Sequence, residues 1–131
     1  MNERIRKELE FLKSFYDVEH SNGWLLIKNY QLPNNMGWSY QKIDVCIQIP
    51  GNYPAQAPYG IYVPSDLRIN GHTPATNYQP VASNKPSFTG IWGLISWSID
   101  GMWNPNQDIT KGANLLNFIN SFYNRFKMGR S

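Results

Sequence analysis

Cysteine is almost missing from this chain: Cys46 stands alone among 131 residues, which excludes an internal disulfide and a cysteine-rich zinc site. Histidine is nearly as scarce, and His20 and His72 lie far apart, so neither a metal nor any other cofactor is expected. Charge of one sign is also lacking. The 12 basic and 9 acidic residues leave a net charge of only +3. The basic ones gather mainly at the two ends, in Arg4, Arg6 and Lys7 and in Arg125, Lys127 and Arg130. Clusters this small read as solvated helix faces, and nucleic acid is not an expected partner. No stretch approaches the roughly 20 apolar residues of a membrane span, and the opening Met-Asn-Glu-Arg-Ile-Arg has no apolar signal core. A soluble, cytoplasmic protein without a membrane partner is the expectation. A glycine-rich phosphate loop, a His-Glu-x-x-His helix and a Gly-x-Ser-x-Gly elbow are absent too.

What the chain does have is apolar and aromatic residues, at 41% and 15%, enough for one folded domain over 1–131. Ile5, Leu9, Leu12 and Tyr16 recur at four, three and four residues among charged neighbours, which predicts an amphipathic helix over 3–16. Glu3 with Lys7 and Arg4 with Glu8 stand at ion-pair spacing along it. Ser21-Asn22-Gly23 marks a turn, after which Trp24-Leu25-Leu26-Ile27 opens a strand. A second strand runs from Tyr40 to Ile49. Ile43, Val45, Ile47 and Ile49 share one of its faces, and Lys42, Asp44, Cys46 and Gln48 the other. Tyr59 to Val63 makes a further short strand. Residues 64–88 show no period, and an irregular segment of this length is more often functional than inert. After Asp108 as cap, Leu115, Ile119, Phe122 and Phe126 form the stripe of a helix over 109–126, with Gly112 a weak point in its first turn. The architecture predicted is α+β in two layers: an N-terminal helix, an antiparallel meander sheet, a long irregular segment and a C-terminal helix.

The stretch from Gly90 to Pro105 holds three of the five tryptophans, Trp92, Trp97 and Trp103, each needing a partner for its N–H if buried. Ser96 and Ser98 flank Trp97. If that piece is extended, both hydroxyls share one face and Trp97 turns to the other. A serine needs a base to become a nucleophile, and His72 and Asp100 are the candidates. Cys46, mid-strand on a polar face, reads as a partly exposed structural cysteine and not as a nucleophile. His20 stands where the first helix runs out, in a capping or exposed role. Tyr53, Tyr59, Tyr78 and Phe88 cannot all be core, which suggests a partner surface.

The order of these pieces resembles the ubiquitin-conjugating enzyme superfamily over nearly the whole chain. Arg4-Ile5-Arg6-Lys7-Glu8-Leu9 resembles its opening helix. Val45 to Pro50 followed by Tyr53-Pro54-Ala55-Gln56-Ala57-Pro58 is similar to its strand and Tyr-Pro-x-x-x-Pro turn. Ile69-Asn70-Gly71-His72 lies where the family has His-Pro-Asn, and Trp103-Asn104-Pro105 resembles its Trp-x-Pro. The catalytic cysteine is replaced: Gly93-Leu94-Ile95-Ser96-Trp97 occupies its place, so Ser96 aligns with it, or Ser98 in a shifted alignment. The resemblance makes Asn70, or else Asn77, the stand-in for the family's oxyanion asparagine, and Trp92, Trp97 and Trp103 supports of the site. It is strongest to divergent prokaryotic members found in bacterial operons with a ubiquitin-like protein, an activating enzyme and a deubiquitinase-like peptidase, and points to antiviral defence. Two functions follow from it: a transferase carrying the modifier as a serine oxyester, or an inactive variant that binds a ubiquitin-like protein or activating enzyme. An unrelated peptide- or ligand-binding domain is the third.

Overall fold

Asn22 and Gly23 set the pattern of the whole sheet, because both adopt positive φ, +50° and +80°, and so close a two-residue hairpin. A computed structural model, describing residues 2–99 and 101–130, shows the strands on either side of it as β1 (Asp17–Ser21) and β2 (Trp24–Gln31). The chain continues through β3 (Lys42–Gln48), β4 (Ile61–Pro64) and β5 (Trp92–Ile95), each antiparallel to the one before. The five strands lie in sequence order, β1-β2-β3-β4-β5, as a meander. Helices α1 (Glu3–Leu12) and α2 (Leu115–Lys127) precede and follow it.

The alternation along β3 sorts the molecule into two sides. Ile43, Val45 and Ile47 join Leu25, Ile27, Ile61, Val63 and Ile95 on an inner face, buried against Leu9 and Leu12 of α1 and Phe118, Phe122 and Phe126 of α2. The opposite, outer face carries a second buried cluster of Trp24, Leu26, Cys46, Tyr62, Ala82 and Trp92. The sequence read this side as polar and Cys46 as partly exposed. Cys46 is instead fully buried, because the segment leading to β5 lays Ala82 and Phe88 over the sheet.

Three boundaries differ from the sequence reading. The first helix ends at Leu12, not Tyr16, and Asp17–Ser21 is a strand with His20 half-buried opposite Leu25, so His20 caps no helix. Helix α2 begins at Leu115, with Asn114 and Asn117 bonding each other's backbone N–H in a capping box. Asp108 closes a local turn instead, accepting from the Thr110 N–H at 3.0 Å, and Gly112 at φ +65° interrupts any helix there. Arg4 pairs with Glu8 at 2.8 Å as its spacing suggests, whereas Glu3 pairs with Arg6 and not Lys7.

Residues 64–88 are bound to the sheet in spite of their lack of period. Gln79 exchanges both backbone hydrogen bonds with Leu94, at 3.2 and 2.8 Å, and the Ala82 N–H donates to the Trp92 carbonyl at 2.9 Å. The far edge of β5 is therefore covered, which removes one open strand edge. No described helix is long and apolar enough to cross a membrane.

Candidate functional site

Strand β5 is built around small and large residues in alternation. Trp92 and Leu94 face outward, where Trp92 is 9% exposed and donates its Nε1–H to the Phe88 carbonyl at 3.2 Å. Gly93 faces inward beneath Tyr78: a Cβ there would sit 1.9 Å from the tyrosine oxygen, which donates to the Ser65 carbonyl at 3.1 Å. Glycine at this position is thus a matter of close approach and not of backbone conformation.

Past Ile95 the chain keeps its two-sided habit. Trp97 turns inward, half-buried, and donates its Nε1–H to Ser121 Oγ on α2 at 2.9 Å. Its carbonyl accepts from the Gly60 N–H at 2.7 Å. Ser96 and Ser98 are both exposed, on the side away from α2. The loop is fastened again at Trp103, whose Nε1–H donates to the Pro54 carbonyl at 2.8 Å and whose ring lies 6.2 Å from that of Tyr53. All three tryptophan N–H groups thus have partners, and Trp97 and Trp103 bracket the two serines. Between them Met102 is 83% exposed.

The other candidates are distributed around this loop without touching it. Asn70 and Gly71, at φ +49° and +81°, make a tight turn in which Ile69 and His72 exchange backbone hydrogen bonds, both at 2.8 Å. Asn70 is engaged with the loop beside it: its N–H donates to the Gly37 carbonyl at 2.8 Å and its Nδ2 to the Met36 carbonyl at 3.4 Å. His72 is exposed. Asn77 is exposed two residues before Gln79, whose partner Leu94 is two residues before Ser96, so Asn77 lies toward the Ser96 end of β5. Among the described residues no hydrogen bond or ion pair joins His72, Asn70 or Asn77 to either serine. Asp100 lies outside the described residues.

Cys46 sits apart from all of these, paired across the sheet with Leu26 and Tyr62. Burial, and then the negative charge of Asp44, pushes its thiol far above the ordinary range. The sequence missed Ser121 and Gly60, which hold Trp97 from two directions. It also missed a cleft on the outer face beside Tyr59, because its walls come from four separated segments that share no motif. Tyr53, expected to compete for the surface, is buried, whereas Tyr59 is 56% exposed.

Residues 6–120 match the family model described as prokaryotic E2 family E, and with that match extending over most of its length the chain belongs to that family. No curated protein and no solved structure matches the chain.

Proposed function

We propose that this conjugating-enzyme-like protein of prokaryotic E2 family E carries the C-terminal carboxyl of a ubiquitin-like modifier as an oxyester on Ser96, with Ser98 as the alternative acceptor. The observation that carries this reading is the Ser96-Trp97-Ser98 arrangement: both hydroxyls are exposed while Trp97 is locked to Ser121 of α2. In the loading step the serine oxygen attacks the carbonyl of a modifier held as a thioester on its activating enzyme. The C–O bond forms, the C–S bond breaks, and the serine proton passes through a base to the departing sulfur. In discharge an amine attacks the ester, the C–O bond breaks, and the serine oxygen is reprotonated. His72 and Asp100 are the bases of this reading. Asn77 serves better than Asn70 as oxyanion donor, since the Asn70 amide is engaged with the Met36 carbonyl.

A second reading has its own support. Neither serine has a base within hydrogen-bond reach among the described residues, as a binding or scaffold subunit for a ubiquitin-like protein or an activating enzyme would permit. Intact-mass analysis after incubation with a ubiquitin-like protein, its activating enzyme and ATP separates the two. An adduct labile to hydroxylamine, stable to thiols and lost in Ser96→Ala or Ser98→Ala is the expected result. Retained binding with no adduct establishes the scaffold, and an adduct lost only in Cys46→Ala overturns the serine assignment.

A further inference from the structure

The outer face next to Ser96 contains a cleft of about 400 Å³ with no charged residue in its walls. Its polar groups are three primary amides, Gln48, Gln56 and Asn84, set among the rings of Tyr59 and Tyr62. A primary amide offers both a donor and an acceptor, the same pair that a peptide backbone presents. Asn84 Nδ2 donates to Gln48 Oε1 at 3.4 Å, which leaves the Asn84 oxygen and the Gln48 nitrogen for a ligand. Gln56 is exposed and hydrogen-bonds nothing among the described residues.

Register connects this cleft to the serine. Tyr62 pairs with Leu94 and Ile61 with Ile95, so the next position along brings Gly60 beside Ser96. Tyr62 and Leu94 belong to the outer face and Ile61 and Ile95 to the inner, which returns Ser96 to the outer face, the side on which the cleft opens. Gly60 presents no side chain there, and Leu94 leans into the space a Cβ would occupy, 2.6 Å away. Between the cleft and the Ser96 hydroxyl the β4 backbone is therefore bare.

We propose that this cleft holds the extended C-terminal tail of the carried modifier, and that it selects a tail whose residues leading up to the ester are uncharged. The identity of the peptide rests on the oxyester reading above. The selectivity rests on the cleft: a charged side chain would lose water there and meet no counter-ion, whereas an uncharged backbone finds three amides.

The test is a titration of isotope-labelled full-length protein with acetyl-Ala-Thr-Ala-Gly-Ala amide, following side-chain amide resonances by NMR, beside versions carrying Glu or Lys in place of Thr. Saturable shifts confined to Gln48, Gln56 and Asn84 are expected for the uncharged peptide. Gln56→Glu should weaken it by about five- to ten-fold, as losing one hydrogen bond does, and should favour the lysine peptide. Gln56 is exposed, so a properly folded variant is expected, and an unchanged backbone spectrum verifies that. Equal binding of all three peptides, shifts elsewhere, no saturable shifts, or an unaffected Gln56→Glu would overturn the assignment. A free peptide needs no ester bond, so a Ser96 that never acylates defeats the oxyester reading without altering this result. An adduct on Ser96 in a protein whose cleft ignores the peptide defeats the cleft assignment alone.

Discussion

Cys46 and the two serines occupy opposite environments, and each predicts its own reactivity. The thiol is sealed beneath Trp24, Tyr62 and Trp92, and burial ahead of the Asp44 charge holds it in its protonated form. Iodoacetamide in mildly alkaline buffer should leave the native protein unmodified and add one carbamidomethyl group only after denaturation, as read by intact mass. Cys46→Ala should cost about 1–2 kcal/mol in chemical unfolding, the lost contacts of one buried atom plus a small cavity. Ser96→Ala and Ser98→Ala should each stay within about 0.5 kcal/mol of the parent, because both side chains are exposed. Loss of an adduct in either variant would then report chemistry and not unfolding. The split between Trp97 and its flanking serines was legible from the two-residue period alone. The use of Asn70 was not: what it does depends on Gly37, where a Cβ would meet the Asn70 side chain at 1.9 Å, and no local pattern announces that contact.

Among the elements, β3 could be read directly because its apolar alternation is strict, and β1 could not because Asp-Val-Glu-His-Ser buries little and continues the charged pattern of the helix before it. Helix α2 shows the same contrast within one segment. Its apolar stripe is unambiguous, but two caps compete for its start. Asp108 has the right residue type, yet the Pro105–Gly112 bridge folds the chain back, and a Cβ on Gly112 would lie 2.6 Å from the Asn104 carbonyl. Asn114, only 3% exposed, is the cap in fact: its Oδ1 accepts from Asn117 N–H at 2.8 Å. Asn114→Ala should therefore cost about 1–2 kcal/mol, while Asp108→Ala should remain within about 0.5 kcal/mol. Urea unfolding midpoints of the two variants decide between the starts, and equal losses would mean the helix begins earlier. Trp97→Phe keeps the ring but deletes the bond to Ser121, and a loss of about 1 kcal/mol is expected by the same measurement.

At the scale of the whole molecule, buried polar groups tie the two helices to the serine loop. The Glu8 carboxylate, 1% exposed, accepts from Arg4 at 2.8 Å, from the Leu115 N–H at the start of α2 at 2.7 Å, and from the Tyr53 hydroxyl at 2.7 and 2.9 Å. Tyr53 in turn stands against Trp103, at the far end of that loop. Burial first, then the Glu8 charge, raises the Tyr53 phenol above its ordinary range; burial does the same to Tyr30, whose hydroxyl donates to the Ile119 carbonyl at 2.9 Å. A phenol whose pKa is higher folded than unfolded favours the fold in its protonated form. Its contribution is complete below the unfolded value of about 10 and is lost as pH rises from there toward the folded value. Thermal stability should accordingly be level with respect to these groups up to about pH 9 and fall beyond about pH 10. Tyr53→Phe should flatten that fall while lowering stability at neutral pH by about 1–3 kcal/mol, because Glu8 loses a donor. Melting curves across the alkaline range, read together with tyrosinate absorbance, test both effects. The buried phenols should ionise only as the protein unfolds, and their ionisation near the ordinary value in a protein that stays folded would refute the account.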